Sequence, residues 1–207
     1  HSCAGILPAR EALLPHRPFR APHHTMSAAS LAGGGTVPRP GEVSLASHGV
    51  LFLDELPEFQ RNVLEVMRQP LEDGKVTISR VNGTLTFPSD FMLAAAMNPC
   101  PCGNYGAQGK VCTCSKKQVE SYLGKISRPV LDRIDIQVEL PSISFDELSQ
   151  VGGKVETSAQ IRERVVAARA FMQRRLEAEG LDKIGIHCNA QLDSASIRRT
   201  CIPSDAA

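Results

Sequence analysis

A strong excess of either charge is missing: 23 Lys and Arg stand against 22 Asp and Glu, for a formal net charge of +1. That balance excludes a global field of the kind that draws a whole protein to nucleic acid or to a membrane, so any basic binding surface must be local. A long apolar span is missing too, as is a charged-then-apolar leader ahead of the cysteines, which favours a reducing, cytoplasmic setting. The expectation is a cytoplasmic protein with no membrane partner, in a reducing setting where thiols serve metal binding or packing. Internal repeats and low-complexity tracts are also absent. No Met opens the chain, which starts His1-Ser2-Cys3 and ends Asp205-Ala206-Ala207 without a closing helix signal, and it reads as cut from a longer one. What is present is ordinary globular material, 207 residues with 42% hydrophobic content. That is enough for one domain, or one and the beginning of another.

Up to about residue 48 the sequence is loop-rich, broken by Pro15, Pro18, Pro22, Pro38, Pro40 and the run Gly33-Gly34-Gly35. Val50-Leu51-Phe52-Leu53 is then an uninterrupted apolar run ending in Asp54-Glu55, the pattern of a strand buried on both faces with acids at its carboxyl end. Phe59, Val63, Leu64 and Met67 recur at helical spacing after Pro57, until Pro70 ends the pattern. Residues 75–81 and 84–87 are β-rich and flank Asn82-Gly83, a pair that tolerates the positive φ angles of a two-residue hairpin turn. A second apolar run, 91–97, ends in Asn98 and resembles the first strand in design. A helix is expected over 116–126. Ile134, Ile136, Val138 and Leu140 alternate with Asp135, Gln137 and Glu139, the signature of a strand with one wet face, closed by Pro141. After a polar linker, Thr157-Ser158-Ala159-Gln160 reads as a capping box for a helix with Ile161, Val165, Ala168, Met172 and Leu176 on one stripe and Gly180 at its stop.

An apolar strand that delivers two acids at its tip suits a nucleoside-triphosphatase, because Mg²⁺ takes oxygen ligands and a water nucleophile needs a base nearby. A strand that simply meets a solvated loop leaves the same trace, so the order of features along the chain has to decide. That order is acidic strand tip, helix, hairpin, second apolar strand ending in Asn98, then Arg128 and Arg133. Here a resemblance becomes specific. Gly49-Val50-Leu51-Phe52-Leu53-Asp54-Glu55-Leu56 is similar to a Walker B segment, Ala94-Ala95-Ala96-Met97-Asn98-Pro99 to the sensor 1 strand of AAA+ proteins, and Leu131-Asp132-Arg133-Ile134-Asp135 to the arginine-finger segment of the magnesium-chelatase branch. Further matches are Arg17-Pro18-Phe19-Arg20-Ala21-Pro22-His23-His24-Thr25, Arg39-Pro40-Gly41-Glu42, Arg68-Gln69-Pro70-Leu71-Glu72-Asp73-Gly74 and Asn98-Pro99-Cys100-Pro101-Cys102-Gly103. From His1 to about Cys201 the chain resembles the Mg-chelatase-like AAA+ ATPases of the competence protein ComM (YifB) family.

The resemblance implies an α/β fold, a partial P-loop NTPase core with a parallel sheet, a β-hairpin insert and the start of a helical lid. It implies a core over residues 1–141 and a linker with the start of the lid over 142–207. Carried over residue by residue, it implies ATP and Mg²⁺ as cofactors, Asp54 for the metal, Glu55 for water activation, Asn98 for sensing the γ-phosphate and Arg133 as a finger reaching a neighbouring subunit's nucleotide. It further implies a homo-oligomeric ring, hexameric by expectation, that acts on DNA as a branch-migration or helicase-like motor in natural transformation and recombination. Two alternatives stand beside it: a magnesium-chelatase-type subunit driving metal insertion or protein remodelling, and a sigma-54-type transcription activator. The last would need a Gly-Ala-Phe-Thr-Gly-Ala loop before Asp54, and Ala29-Ser30-Leu31-Ala32-Gly33-Gly34 is not one.

One required element is lacking. A phosphate loop needs Gly-Lys followed by Ser or Thr, yet the Gly-Lys pairs at Gly74, Gly109, Gly124 and Gly153 are followed by Val76, Val111, Ile126 and Val155. By itself this stretch is expected to be inactive as an ATPase, with the phosphate loop and sensor 2 lying outside it in the parent protein. Cys100-Pro101-Cys102 and Cys112-Thr113-Cys114 supply four thiols for one candidate Zn²⁺; single-residue separations are tighter than the usual knuckle, and a thiol-rich loop is the plainer reading. His23-His24, His187 and Cys188 are left unassigned. The Gly33-Gly34-Gly35 loop with Arg39, and the Asn82-Gly83 hairpin with Lys75 and Arg80, are candidate DNA-gripping projections, as well as turns of the sort that collect glycine and charge anyway.

Overall fold

The computed structural model describes residues 7, 16–80, 83–107, 109–140 and 156–202. The chain divides into two compact units, His1–Ser142 and Ile143–Ala207. The first holds, in chain order, β1 (Phe19–Arg20), α1 (Ala28–Ala32), β2 (Gly33–Gly34), β3 (Arg39–Pro40), α2 (Glu42–Leu45), β4 (Val50–Leu53), α3 (Arg61–Glu65), α4 (Arg68–Asp73), β5 (Lys75–Arg80), β6 (Gly83–Pro88), β7 (Met92–Ala95), α5 (Lys116–Leu123) and α6 (Arg128–Leu131).

β4 is the centre of a three-stranded parallel sheet. It pairs with β1 through Phe19↔Val50 and Arg20↔Leu51, and with β7 from Val50↔Met92 to Leu53↔Ala95. The two apolar runs therefore lie side by side in one sheet, as expected. Burial on both faces is not what β4 has: Leu51 and Leu53 are fully buried, whereas Val50 and Phe52 are half-buried. The packed face meets Leu31, Val43, Leu56, Val63, Leu64 and Met67 in the main core. On the other face Phe52 is covered by the ring of Phe19, stacked at a centroid distance of 6.2 Å.

The helical stripe after Pro57 is present as burial but not as one helix. A 3₁₀ turn over Leu56–Glu58 carries Pro57 in its first turn, and α3 and α4 follow as separate short helices. Phe59, Val63, Leu64 and Met67 are nevertheless all in the core. Pro70 does not stop the pattern. It stands in the first turn of α4, where a backbone N–H has no helical acceptor to lose, and the helix runs on to Gly74, whose left-handed φ of 62° closes it.

β5 and β6 form the expected antiparallel hairpin, from Lys75↔Pro88 to Arg80↔Gly83. Gly83 belongs to the strand rather than to the turn, and Val81 and Asn82 lie outside the described residues. Val76 and Ile78 point into the core, while the opposite face is polar, with the Thr77 and Thr86 hydroxyls 3.0 Å apart and those of Ser79 and Thr84 at 3.1 Å. The alternating segment that promised a strand does not form one. Residues 134–140 carry no strand, and Ile136, Val138 and Leu140 are 73–84% exposed. Alternation only qualifies a segment for pairing; a ladder needs a partner edge, and none meets this segment among the described residues.

The second unit contains α7 (Ser158–Ala178), two 3₁₀ turns at Asp182–Ile184 and Asn189–Gln191, and α8 (Ser194–Thr200). The linker expected before it lies outside the described residues. Thr157 caps α7 in a full capping box: its hydroxyl accepts from the Gln160 amide, and the Gln160 side chain accepts from the Thr157 amide at 2.8 Å. At the other end Gly180, φ 67°, allows Leu181 N–H to reach Leu176 O at 2.9 Å and Gly180 N–H to reach Glu177 O at 3.0 Å, a Schellman closure. Leu176 and Leu181 pack with Ile186 in a small core. The predicted apolar stripe is only partly used: Leu176 is buried, but Ile161 and Val165 are exposed, because a stripe buries only where a second surface meets it.

Candidate functional site

The carboxyl ends of β4 and β7 converge. Beyond the last pair, Leu53↔Ala95, the ladder is prolonged by Ala96 N–H to Leu53 O, 2.9 Å, and Leu56 N–H to Ala96 O, 3.0 Å. Asp54, Glu55 and Asn98 therefore leave the sheet at the same edge, and all three are exposed. The carboxyl edge of a parallel sheet is where open α/β folds hold ligands. Glu55 takes a left-handed backbone conformation, φ 52° and ψ 47°, which is uncommon for a residue with a side chain. Its amide donates to Asp54 Oδ1 at 2.9 Å, so the two acids are locked to each other while both side chains face outward.

Two neighbours of this edge went unread in the sequence. His24 Nδ1 lies 3.1 Å from Glu55 Oε2, and the His24 ring meets Phe59 edge-on, with centroids 6.3 Å apart. Tyr122 of α5 is buried, and its phenol pKa is raised by that burial and then by the charge of Glu58; the backbone amide of Asn98 meets the hydroxyl and opposes the shift. The clue to His24 was its place in a family-like segment; nothing about Tyr122 pointed to Asn98.

Arg133 is not at this edge. Its guanidinium donates to Pro129 O at 2.8 Å and forms an ion pair with Glu72 of α4. Neither Asp132 nor Asp135 is its partner; Asp132 instead faces Arg128, at 3.7 Å. The family-like segments are thus tied together in space: Glu72 with Arg133, His24 with Glu55, and Arg20 with Glu42 in a bidentate pair at 2.5 and 2.7 Å. A shallow cleft of about 430 Å³ lies nearby, lined by Pro57, Glu58, Arg61, Ser121 and Lys125 among others. None of Asp54, Glu55, Asn98 and Arg133 lines it, so it is set aside in favour of the strand edge, where the acids and the polar strand ends meet.

The four thiols do come together. Cys100, Cys102, Cys112 and Cys114 place all four sulfurs within 4.8 Å of one another, with Cys100–Cys102 at 3.4 Å, Cys102–Cys112 at 3.6 Å and Cys100–Cys112 at 3.8 Å. A zinc tetrahedron with Zn–S bonds of ~2.3 Å has S–S edges of ~3.8 Å, so the set fits one ion. Backbone geometry makes the cluster possible. Gly103, φ 77°, turns the chain after Cys102 with its amide on Cys100 O at 3.0 Å. The amides of Asn104 and Thr113, followed by the Cys100 thiol, lower the Cys102 thiol to about 5. At Cys112 the Cys114 amide pulls downward, but burial and the neighbouring thiols of Cys102 and Cys100 outweigh it and push the group up to about 12. One negative sulfur makes its neighbours hold their protons, a conflict that a divalent cation removes.

The two candidate projections are neighbours as well. The Gly33-Gly34 strand pairs with Arg39-Pro40 as a hairpin, and a side chain at Gly33 would come within 2.7 Å of Ile78 Cδ1 on β5. Glycine there lets the two hairpins touch. Among the described residues no helix is long and apolar enough to cross a membrane.

Comparison with known proteins returns one family over both units. The profile described as magnesium chelatase, subunit ChlI, matches residues 1–148, and the profile of its C-terminal part matches residues 155–207. Competence protein ComM of Haemophilus influenzae is 49% identical over 190 residues, covering 91% of this chain and 35% of that protein. YifB of Escherichia coli is 44% identical, covering 89% and 34%, and Mb2921c of Mycobacterium bovis is 40% identical, covering 100% and 40%. The chain thus spans little more than a third of the length of the curated relatives it matches. A crystal structure of NtrX from Brucella abortus is similar over 60% of this chain and 26% of that one, with a TM-score of 0.40 and 17% identity, too slight a likeness to carry an argument.

Proposed function

The chain belongs to the Mg-chelatase-like AAA+ family, alongside ComM and YifB, and from that membership we propose that it is the central part of an ATP-driven ring motor acting on DNA. The observation that carries the reading is the shared carboxyl edge of β4 and β7, where Asp54, Glu55 and Asn98 leave the sheet together. Bound Mg-ATP supplies the phosphoryl group and the cation. Asp54 offers the hard oxygen donors that Mg²⁺ prefers, Glu55 orients and deprotonates the attacking water, and Asn98 meets the γ-phosphate. Arg133 acts on the nucleotide of the adjacent subunit, where a fixed guanidinium stabilises charge that develops in transfer. Its partner Glu72 holds it ready at the exposed face of α4. The hairpins β2–β3 and β5–β6, side by side, carry Arg39 and Lys75 toward the DNA backbone. The cysteine set holds a structural zinc, which closes the loop between Asn98 and α5.

The sequence has no Gly-Lys-Ser/Thr loop, so the stretch alone is expected to be inactive and the experiment uses the full-length protein. ATP turnover is measured alone and with single-stranded, duplex and four-way branched DNA, beside Glu55→Gln. Stimulation by branched DNA that Glu55→Gln abolishes is the expected result. Turnover indifferent to every DNA would refute the DNA motor.

A further inference from the structure

A buried tyrosine of α5, Tyr122, meets the backbone amide of the residue assigned to the γ-phosphate. We propose that Tyr122 is the positioning residue of Asn98: its hydroxyl accepts the Asn98 backbone N–H and so fixes the direction in which the Asn98 side chain leaves the sheet. The inference rests on the reading of Asn98 given above.

Asn98 stands where the sheet has stopped holding the chain. Pairing between β4 and β7 ends at Leu53↔Ala95, and the two bonds that prolong it both involve Ala96. Asn98 comes two residues later and is exposed. Pro99 biases its backbone toward extended angles but ties it to nothing. Tyr122 supplies the tie, and it does so from a firm base. Ser115 caps α5: its Oγ accepts from the Gln118 amide at 3.3 Å, and the Gln118 side chain accepts from the Ser115 amide at 2.7 Å. Val119 and Tyr122 share the buried face of the helix. Past its end Ile126 enters the main core, while the Lys125 ammonium sits 5.6 Å from the centre of the Tyr122 ring and 3.4 Å from Glu58 Oε1. Glu58 N–H in turn donates to Glu55 O at 2.7 Å, so α5 is fastened to the turn that opens at the other strand tip. The Tyr122 ring is thus a fixed body, only 7% exposed, and a hydroxyl buried with it costs stability unless it is bonded. Filling space alone would be served by phenylalanine; the hydroxyl finds its partner in the Asn98 amide. The cysteine loop closes in on the same residue. Cys100 is fully buried, and a Cβ at Gly103 would stand 3.9 Å from Asn98 Cγ. A side chain held loosely meets the phosphate less often in the competent geometry, and a displacement of about 1 Å costs on the order of a hundredfold in rate.

The test pairs steady-state ATP turnover with hydrogen–deuterium exchange in the full-length protein carrying Tyr122→Phe, Asn98→Ala and the two together. Phenylalanine keeps the buried ring and removes only the acceptor, so the thermal transition is expected to survive. Expected in Tyr122→Phe are a kcat lower by about ten- to a hundredfold, with KM for ATP within about threefold, and exchange at the Asn98 amide faster by about five- to tenfold in peptides covering residues 95–100. The double variant is expected to turn over no more slowly than Asn98→Ala, since both changes act through one side chain. An unchanged kcat in Tyr122→Phe overturns the proposal and leaves Tyr122 a filler of the core. A KM effect without a kcat effect overturns it, as does a slower enzyme whose Asn98 amide exchanges at the parent rate. Loss of the thermal transition in Tyr122→Phe would make the hydroxyl a group that holds the fold, and a double variant slower than Asn98→Ala would place its action elsewhere; either result overturns the proposal as well. Full turnover by Asn98→Ala would instead sink the reading of Asn98 itself and be told apart on that ground.

Discussion

Replacing Gly49 by Ala sets two effects against each other at the entrance to β4. Gly49 does not use a left-handed backbone, so on conformational grounds alone alanine stabilises by about 0.4–1 kcal/mol, through loss of freedom in the unfolded chain. Space says the opposite. A Cβ at Gly49 would stand 1.9 Å from Pro18 O and 2.7 Å from Pro18 Cγ, where real Cβ contacts essentially never fall below 3.0 Å. The strand β1 must then retreat by about 1.1 Å, the difference between 3.0 and 1.9 Å. That stretches the Val50 N–H to Pro18 O bond from 2.9 Å to about 4.0 Å, beyond hydrogen-bonding range, and disturbs the two β1–β4 pairs, Phe19↔Val50 and Arg20↔Leu51. Two or three hydrogen bonds at ~1 kcal/mol each outweigh the entropy gain, for a net local cost of about 2 kcal/mol, or roughly a thirtyfold more frequent opening of this edge. Hydrogen–deuterium exchange of peptides covering residues 17–22 and 49–53 reads that ratio directly. Gly74→Ala is the comparison: nothing lies within 4 Å of a Cβ there, but φ is 62°, so it costs about 1 kcal/mol at α4 and leaves β1 exchange alone. Slower or unchanged exchange around Val50 in Gly49→Ala refutes the steric argument.

Further expectations concern the metal, the finger and the lid helix. Full-length protein purified under reducing conditions without chelator carries one zinc per chain, and X-ray absorption finds four sulfurs at ~2.3 Å; Cys100→Ser, at the buried corner of the cluster, loses most of the metal, and a shell of oxygen and nitrogen alone would refute the assignment. Arg133→Ala lowers full-length ATP turnover by about a thousandfold with nucleotide affinity unchanged. Mixing Arg133→Ala with Glu55→Gln subunits restores part of the activity, and failure of the mixture to recover any counts against action across the subunit boundary. Thr157→Ala removes the capping box of α7 and costs about 1 kcal/mol, read as roughly fivefold faster amide exchange in the first turn of that helix, with the last turn, closed at Gly180, unaffected.

Much of this was local enough to read from residue order. The capping box at Thr157, the stop at Gly180 and the hairpin rest on interactions within a few residues, and each is found where expected. The pattern failed where a segment needed something distant. Residues 134–140 alternate as a strand does but meet no edge among the described residues, and the stripe that Ile161 and Val165 form is exposed. Pro70 misled for a narrower reason: the same ring that breaks a helix interior is harmless in a first turn, and only the observed helix start tells the two apart.

By itself the sequence determined the family and many, though not all, of the elements, because periodicity, caps, turns and motif strings are properties of short contiguous segments. It also placed four cysteines at a spacing that allowed a metal. Only the tertiary structure decided which chemistry-bearing groups face each other. His24 meets Glu55, Arg20 meets Glu42 across 22 residues, and Glu72 meets Arg133 across 61. Each such pair contributes on the order of 1 kcal/mol or less, too little to impress a pattern on the residues around it. Their partners are chosen instead by the sheet and core, which bring remote segments together first and leave the side chains to pair where they land.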